Sequence, residues 1–518
     1  MRWRAALQRA SSFPILLCFG FFIRIPALFE PVQEGPRNAQ TATLTAGMIE
    51  NGRLRLDPIA PWRGDLDARL VQELPVYNFS VLILTELLGF PIDFAGRLTS
   101  LIFWLMGFWL LQKLWRIALL EPARPWANLL FIIAPMNWYL STAFMPETLL
   151  QTLTIGFLLL ALKYSKDPKW TNGAALVVVG AFGLLVKLPS FVHLGLFLAL
   201  IVLDRQRWRA LFHPVLLLGA CFLVGALLAW SHFMETVNST YFPYWTGKQN
   251  LVGFIQPGYE RWGSTFWIKL MGYNLAYVLP LMAALPAVWG GWWAWGLRHT
   301  SREARIWLYL LASLFLSWLV WGKGAAAQNY YNLPNLVCFC AFFGLGTARL
   351  QTRLPFFNSP RWIQASFSMF LVSGIVWCGT GLWYLSRPDT TTLRVADWVE
   401  QNAAQGSLIL YQPRHSSAVM DYEHQPLLSH ATGRRTWIWT RSTPDWEKQR
   451  ALETFAFLIV TTPPAKPGFW EMLRRWAKSS APSAPESVAD SHPGLFQKIA
   501  EKEGFVVFER HTDTDPRF

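Results

Sequence analysis

Glu34, Glu147, Arg97 and Lys187 are the residues of this chain whose types and settings could do chemistry at a membrane surface. Glu34 stands in EGPRNAQTATLTAGM, ahead of a helical alternation through Thr41, Leu44, Thr45 and Met48. A carboxylate at the mouth of a membrane cavity is shielded from bulk water, which can bring its pKa toward that of a usable general base. Spacing alone favours a plainer reading, an interfacial Glu near a helix start. Glu147, in FMPETLL, holds the corresponding place at the start of a later apolar segment, where a carboxylate also complements the helix dipole. Arg97 opens one apolar segment and Lys187 closes another. Two such cations at one depth suit a lipid phosphate, as fork and point charge respectively, and snorkelling to head groups accounts for either of them equally well. The segment QNYYNLP, Gln328–Pro334, adds Tyr330 and Tyr331 at a membrane boundary, where tyrosine is common.

These residues need elements to hold them on one side of a membrane, and the basic residues define that side. Six stretches between apolar segments each carry three cations: Arg2, Arg4, Arg9; Lys113, Arg116, Arg124; Lys163, Lys166, Lys169; Arg205, Arg207, Arg209; Arg298, Arg302, Arg305; and Arg349, Arg353, Arg361. Only Glu121, Asp167, Asp204 and Glu303 accompany them, so the positive-inside rule puts these stretches in the cytoplasm and the alternate gaps outside. The candidate chemistry falls in the outward gaps.

Composition agrees. Of 518 residues, 53% are hydrophobic and 15% charged, with 29 Trp, more apolar surface than a soluble domain needs. The net charge of +14 is gathered in short clusters beside apolar spans, which orientation and anionic head groups explain without nucleic acid. Cys18, Cys221, Cys338, Cys340 and Cys378 all lie in apolar segments, which argues against a disulfide framework or a zinc cluster. The first apolar run, interrupted near its end by Arg24 and Pro26, lacks a small-residue cleavage site and reads as a retained helix.

The apolar segments predict about eleven transmembrane helices, near 12–29, 97–114, 126–144, 148–163, 171–187, 189–203, 211–231, 268–296, 304–321, 331–348 and 364–385. Val76 to Phe90 is excluded: a helix of ~15 residues reaches only ~22 Å of a ~30 Å core, and counting it would turn every later basic stretch outward. It is expected to lie in the interface as an amphipathic helix. The fold class is therefore an α-helical polytopic membrane protein of residues 1–385, N-terminus cytoplasmic. A large first extracytoplasmic loop (30–96) and a small extracytoplasmic α/β domain (386–518) complete it. In the tail the pattern predicts a helix at Leu393–Asn402, strands at Ser407–Tyr411 and Thr436–Thr440, a helix at Asp445–Thr454, and strands at Phe455–Thr461 and Phe505–Glu509. A Pro/Ser-rich loop spans Ser479 to Pro493. A further outward loop, about 232–267, carries Tyr241, Phe242, Tyr244, Trp245 and Trp262, which suit interface packing better than sugar stacking.

Taken in order, Glu34; R-x-x-x-T-A at Arg37–Ala42; E-L-P-V-Y at Glu73–Tyr77; G-R-L-T-S at Gly96–Ser100; M-P-E-T-L-L at Met145–Leu150; V-K-L-P at Val186–Pro189; and N-Y-Y-x-L-P at Asn329–Pro334 resemble a known family. The pattern is similar to the GT-C type membrane glycosyltransferases, in the branch of protein O-mannosyltransferases and aminoarabinose transferases, and most like the bacterial dolichyl-phosphate-mannose-mannosyltransferase-like subgroup. It covers roughly residues 12–385, and the order and shared sidedness of the motifs carry it.

The resemblance implies inverting transfer of one sugar from a polyprenyl-phosphate donor to a glycolipid, polysaccharide or protein acceptor, at the outer face of a bacterial cytoplasmic (inner) membrane. It assigns Glu34 to the acceptor nucleophile as the catalytic residue, and Glu147 as a second acid that orients the acceptor or helps hold a divalent cation. Arg97 and Lys187 are then the choices for the lipid phosphate, with Arg37 and Tyr331 as further donor contacts and Glu73 and Tyr330 left without a role. The chain departs from the pattern where relatives carry an acidic pair and Glu34 is followed by Gly35 and Pro36. It also has Glu73 where aminoarabinose transferases have Lys, and Gln328 or Asn329 where others have His. A transporter of lipid-linked sugar, or a non-catalytic partner of another transferase, stands as the rival reading. Charges gathered on one side, with the middles of the spans nearly free of them, favour chemistry at one face.

Overall fold

The computed structural model describes residues 13–30, 32, 36–50, 55–206, 211–242, 263–279, 281–327, 329–353, the helical positions 365, 368–369, 372–374 and 376, and then 390–412, 427–439, 443, 445–461, 487–492, 495–502 and 505–510. Glu34, Gln328, the aromatics Tyr244, Trp245 and Trp262, and most of the expected span 364–385 and of the Pro/Ser-rich loop lie outside the described residues. The chain forms two compact units, Met1–Glu30 with Val71–Ser386, and Pro31–Leu70 with Arg387–Phe518.

The first unit is helical. Among the described residues six helices are long and apolar enough to cross a membrane: Ile92–Ala118, Glu147–Lys166, Trp170–Phe191, Pro214–Asn238, Arg302–Val320 and Tyr330–Arg353. The chain is thus a multi-pass membrane protein. Where the sequence predicts single spans at 126–144 and 268–296, the backbone is divided. Pro135 starts a new helix (Pro135–Leu140) after Arg124–Ile133, and a π-turn at Asn274–Val278 follows Ser264–Tyr273 ahead of Leu281–Gly296. Val76–Leu88 is a 13-residue helix, stopped by Gly89 in the left-handed region at φ 67°.

Two close approaches fix the packing of this unit. Gly290 and Gly346 let Leu281–Gly296 and Leu336–Arg353 touch backbone to backbone: a Cβ on Gly346 would sit 1.8 Å from the Pro286 carbonyl oxygen. Arg24, fully buried where the first helix ends, donates to Ser141 Oγ (2.6 Å) and to the carbonyls of Gly20 (2.9 Å) and Ile132 (3.0 Å), with its guanidinium 4.0 Å from the Trp104 ring centre. Asp204 pairs with Arg305 at 3.1 Å, joining the ends of two helices whose basic triplets the sequence puts on one side.

The second unit carries a five-stranded sheet of β1 (Ile409–Gln412), β2 (Thr436–Ile438), β3 (Phe457–Thr461), β4 (Phe496–Lys502) and β5 (Phe505–Arg510), in the order β2-β1-β3-β5-β4. β2, β1 and β3 are parallel; β5 and β4 extend the sheet antiparallel. The expected helices appear at Thr390–Asn402 and Asp445–Thr454. β4 is absent from the sequence reading because FQKIAEK is an exposed edge strand without apolar alternation. Val488–Ser491, inside the expected Pro/Ser-rich loop, is one helical turn tied to the sheet by Val488 N–H to Gln412 Oε1 at 3.0 Å.

Residues 31–70, assigned by the sequence to the membrane unit of 1–385, pack instead with the tail. The cause lies in specific contacts. Thr436 donates its N–H to Pro61 O (2.9 Å) and accepts from Gly64 N–H (2.8 Å), so the loop lengthens the sheet beyond β2. Gly64 adopts φ 57° under the Trp437 ring, where any side chain would clash. Arg63 Nη1 reaches both carboxylate oxygens of Glu447 at 2.7 Å, with both side chains essentially buried. Asp65 pairs with Arg450 at 2.6 Å.

Burial pushes the Glu447 carboxyl up to about 7, against the opposing attraction of Arg63. Because this folded-state value lies above the ordinary one of 4.5, the folded unit holds its proton more tightly than the unfolded chain. Glu447's contribution to stability is therefore complete below pH ~4.5 and is lost as pH rises through ~7. Hydrogen exchange at the amides of Thr436–Ile438 in the full-length protein should show protection falling between those limits, and Glu447→Gln should remove that part of the slope.

Candidate active site

Pro189 sets the geometry. It lies in the helix Trp170–Phe191 and has no N–H, so the Leu185 carbonyl four residues back loses its helical partner. The N–H of Leu74 takes that place at 3.0 Å. The backbone opens at Lys187, which is extended (φ −162°, ψ 84°) between helical turns, and its side chain leaves the kink into the interior. The same bond brings Glu73, the neighbour of Leu74, beside Lys187. The motifs V-K-L-P and E-L-P-V-Y are thus joined through the amide that proline lacks.

A second set of bonds places Glu147. Ser100 Oγ donates to Ala143 O (2.6 Å), and Arg97 Nη1 donates to Thr142 O (2.9 Å) and Ala27 O (3.1 Å), which holds the turn just before Pro146. Gly96 leaves room for the Phe144 ring; a Cβ there would lie 2.1 Å from Phe144 Cε2. Tyr77 Oη donates to Gly96 O at 2.7 Å and lies 2.9 Å from Ser100 Oγ, so E-L-P-V-Y also grips G-R-L-T-S. From this turn Glu147 opens the helix Glu147–Lys166 with its carboxyl buried.

The third contributor is the 3₁₀ turn Asn329–Asn335. Asn335 Nδ2 donates to Asn332 Oδ1 (3.1 Å) and Asn274 Oδ1 (3.2 Å), and Asn274 Nδ2 donates to Asn332 Oδ1 (3.2 Å), locking the turn against the π-turn at Asn274–Val278. Tyr330 and Tyr331, stacked with centroids 5.0 Å apart, are carried on it.

These elements converge on one ammonium. Lys187 Nζ donates to Glu147 Oε1, lies 3.9 Å from Glu73 Oε1, and sits 4.3 Å and 4.7 Å from the ring centres of Tyr330 and Tyr331. Only 6% of Lys187 is exposed, so carboxyls and ring faces replace water around its charge. Glu147 Oε2 is buried with no hydrogen-bond partner among the described residues, which leaves one carboxylate oxygen ready to accept a ligand hydroxyl.

Of the residues singled out in the sequence, the structure brings together Glu147, Lys187, Glu73, Tyr330 and Tyr331. Arg97, expected beside Lys187 as a second phosphate cation, is 1% exposed and tethers the turn at Thr142 to the end of the first helix through backbone carbonyls. Arg37 belongs to the other unit, where it donates to Gln40 Oε1 at 3.1 Å. Among the described residues no three His, Cys, Asp or Glu side chains are grouped as metal ligands. The Lys187 ammonium lies between the carboxyls of Glu73 and Glu147. Tyr77, Ser100 and the Asn274–Asn332–Asn335 network were missed in the sequence. The first two stand inside quoted motifs; Asn274 carries no local signal.

The fold is that of the GT-C membrane glycosyltransferases. The chain is similar to ArnT from Cupriavidus metallidurans bound to undecaprenyl phosphate, with 13% identity, 97% of this chain and 99% of that chain covered, and a TM-score of 0.64. It is also similar to the oligosaccharyltransferase of Archaeoglobus fulgidus in the apo form (10% identity, 86% and 69% covered, TM-score 0.55). A third likeness is to the arabinofuranosyltransferase AftD from Mycobacteria (15% identity, 98% and 40% covered, TM-score 0.52). No family model and no curated protein matches the sequence.

Pro189→Ala tests how the site is built. It restores an N–H that competes with Leu74 for the Leu185 carbonyl, so the kink should relax and Glu73 should move from Lys187. The expected result is faster hydrogen exchange at the Leu74 amide with the overall melting temperature changed by no more than a few degrees.

Proposed function

We propose that this protein is an inverting glycosyltransferase that moves one sugar from a polyprenyl-phosphate donor to a glycolipid, polysaccharide or protein acceptor at the outer face of the cytoplasmic membrane. The observation that carries the reading is the buried Lys187 ammonium, held by Glu147, Glu73 and two tyrosine rings. It occurs in a fold shared with a structure that is bound to undecaprenyl phosphate. The basic triplets place the N-terminus and the even-numbered gaps of an eleven-span arrangement in the cytoplasm, which leaves the Lys187 cluster and the tail outside.

In this reading the acceptor oxygen attacks the anomeric carbon as the bond from that carbon to the phosphate oxygen breaks. The acceptor's proton passes to a carboxylate, for which Glu34 is the assignment. The departing lipid phosphate gains negative charge, and Lys187 meets it as a cation already in place. Glu147 Oε2 accepts from the incoming hydroxyl and aims it. Arg97 holds the turn that carries Glu147, while Tyr331 and Arg37 are assigned to donor contacts.

The test incubates purified wild type, Glu34→Gln and Lys187→Met with a pool of polyprenyl-phosphate sugars and membrane glycolipid extract, following donor loss by mass spectrometry. Wild type should consume a donor. Glu34→Gln should slow consumption by ~10²–10⁴-fold, the usual worth of a positioned base, and Lys187→Met by ~10²–10³-fold. Unchanged turnover in Glu34→Gln would remove it as the base; no consumption by any of the three would remove the reaction.

A further inference from the structure

One turn beyond Lys187, on the same stretch of chain, a small polar cavity opens that none of the roles above uses. Its polar lining comes from Ser190, His193, Ser317, Tyr331 and Asn335, and the Trp318 ring forms part of its apolar wall. It has room for about one water-sized group. Tyr331 belongs to both places: its ring stands over the Lys187 ammonium and also borders the cavity.

Two of the lining groups point to a ligand. His193 is 4% exposed and Ser190 5%, and neither His193 Nε2 nor Ser190 Oγ has a hydrogen-bond partner among the described residues. A buried polar atom left unpaired is costly, so two residues with such atoms lining one cavity mark a place where a partner belongs. The chemistry of that partner follows from the lining, in which the described residues include no Asp, Glu, Lys or Arg. A charged group would enter uncompensated. An imidazole nitrogen and a hydroxyl each donate or accept, which matches a hydroxyl group. Leu314 and Pro189, with the Trp318 ring, provide apolar contact for a carbon bearing it.

We propose that this cavity is a specificity subsite for the donor sugar, receiving the hydroxyl of the exocyclic hydroxymethyl of a hexose, which pairs with His193 Nε2 and Ser190 Oγ while the carbon that bears it stays at the cavity mouth. The proposal rests on the transferase reading and narrows it: the transferred sugar is a neutral hexose with a free primary hydroxyl, as against a pentose or a 6-deoxy sugar. His193 and Ser190 select the donor; they take no part in the proton transfer or in holding the phosphate.

The experiment compares the full-length wild type with Ser190→Ala and His193→Phe on polyprenyl-phosphate hexoses, on the 6-deoxy donor of the same configuration, and on polyprenyl-phosphate arabinose, reading kcat/KM for each. Wild type should prefer the hexose by ~10-fold or more, since a site built to bond a hydroxyl rejects the analogue that lacks it. Both variants should bring that ratio toward one, chiefly by losing turnover of the hexose while that of the 6-deoxy donor persists. Equal losses on all donors would mean that the two side chains hold only a structural water, and the subsite would be withdrawn. A wild-type preference for the 6-deoxy or pentose donor would overturn it as well, with the transferase intact. Transfer from none of the donors would overturn the transferase reading and the subsite together.

Discussion

A lysine ammonium that is 6% exposed inside a helical membrane unit is the constraint on which the rest of this site depends. Removing such a charge from water is tolerable only where anionic and polarisable groups surround it in good geometry. One carboxylate from a helix start, a second from a loop and two aromatic faces from a 3₁₀ turn supply that environment. Each of these must be rigid to within a fraction of an ångström, and each is held from behind. The Ser100 and Arg97 bonds hold the turn before Glu147; Leu74 is bonded to the carbonyl that Pro189 releases; three asparagines lock the turn that carries the tyrosines. The motifs therefore behave as one interlocked set, and a change in any of them acts on the ammonium.

The legible part of the site was the part written in residue type. Glu147, Lys187, Tyr330 and Tyr331 could be named because acids, cations and tyrosines at the helix ends away from the basic triplets are visible in the sequence. What the sequence could not show was how their partners are shared. Arg97 and Lys187 are both cations at helix ends, yet one donates to main-chain carbonyls and the other faces carboxylates. That difference is decided by which turns lie opposite, a tertiary fact with no local signal. The role of Pro189 was legible in principle, since any proline inside a helix releases a carbonyl; which amide would answer it was not.

The same limit explains the unit boundary. Hydropathy separates apolar spans from polar loops, and on that basis residues 30–96 read as one loop of the membrane unit. Residues 31–70 instead pack into the tail's fold, through Pro61 and Gly64 at the edge of β2 and through the buried Arg63–Glu447 pair, whose members are 384 positions apart in sequence. Pairings across such separations leave no periodicity to read. Covalently the segment between Glu30 and Val71 belongs to the membrane unit at both ends, so the tail cannot be removed without stripping the loop of its core. A chain cut near residue 386 would leave Arg63 without Glu447 and Gly64 without the Trp437 ring that covers it.

On the transferase reading, the charge balance of the cluster has a consequence for turnover. A buried lysine without acidic neighbours would hold the product phosphate as firmly as it stabilises the departing one, and binding that is equal in all states does not speed a reaction. Glu147 and Glu73 compete with phosphate for the same ammonium, and in their presence the site carries two carboxyls for one cation. Charge on the phosphate grows as the glycosidic bond breaks and is fullest on the freed lipid phosphate, so Lys187 is drawn toward it throughout the transfer and release depends on that competition. After transfer the carboxylates can reclaim it, easing release of the lipid. The acidic environment that looks adverse to an anionic donor is in this light what keeps the cation from becoming a trap.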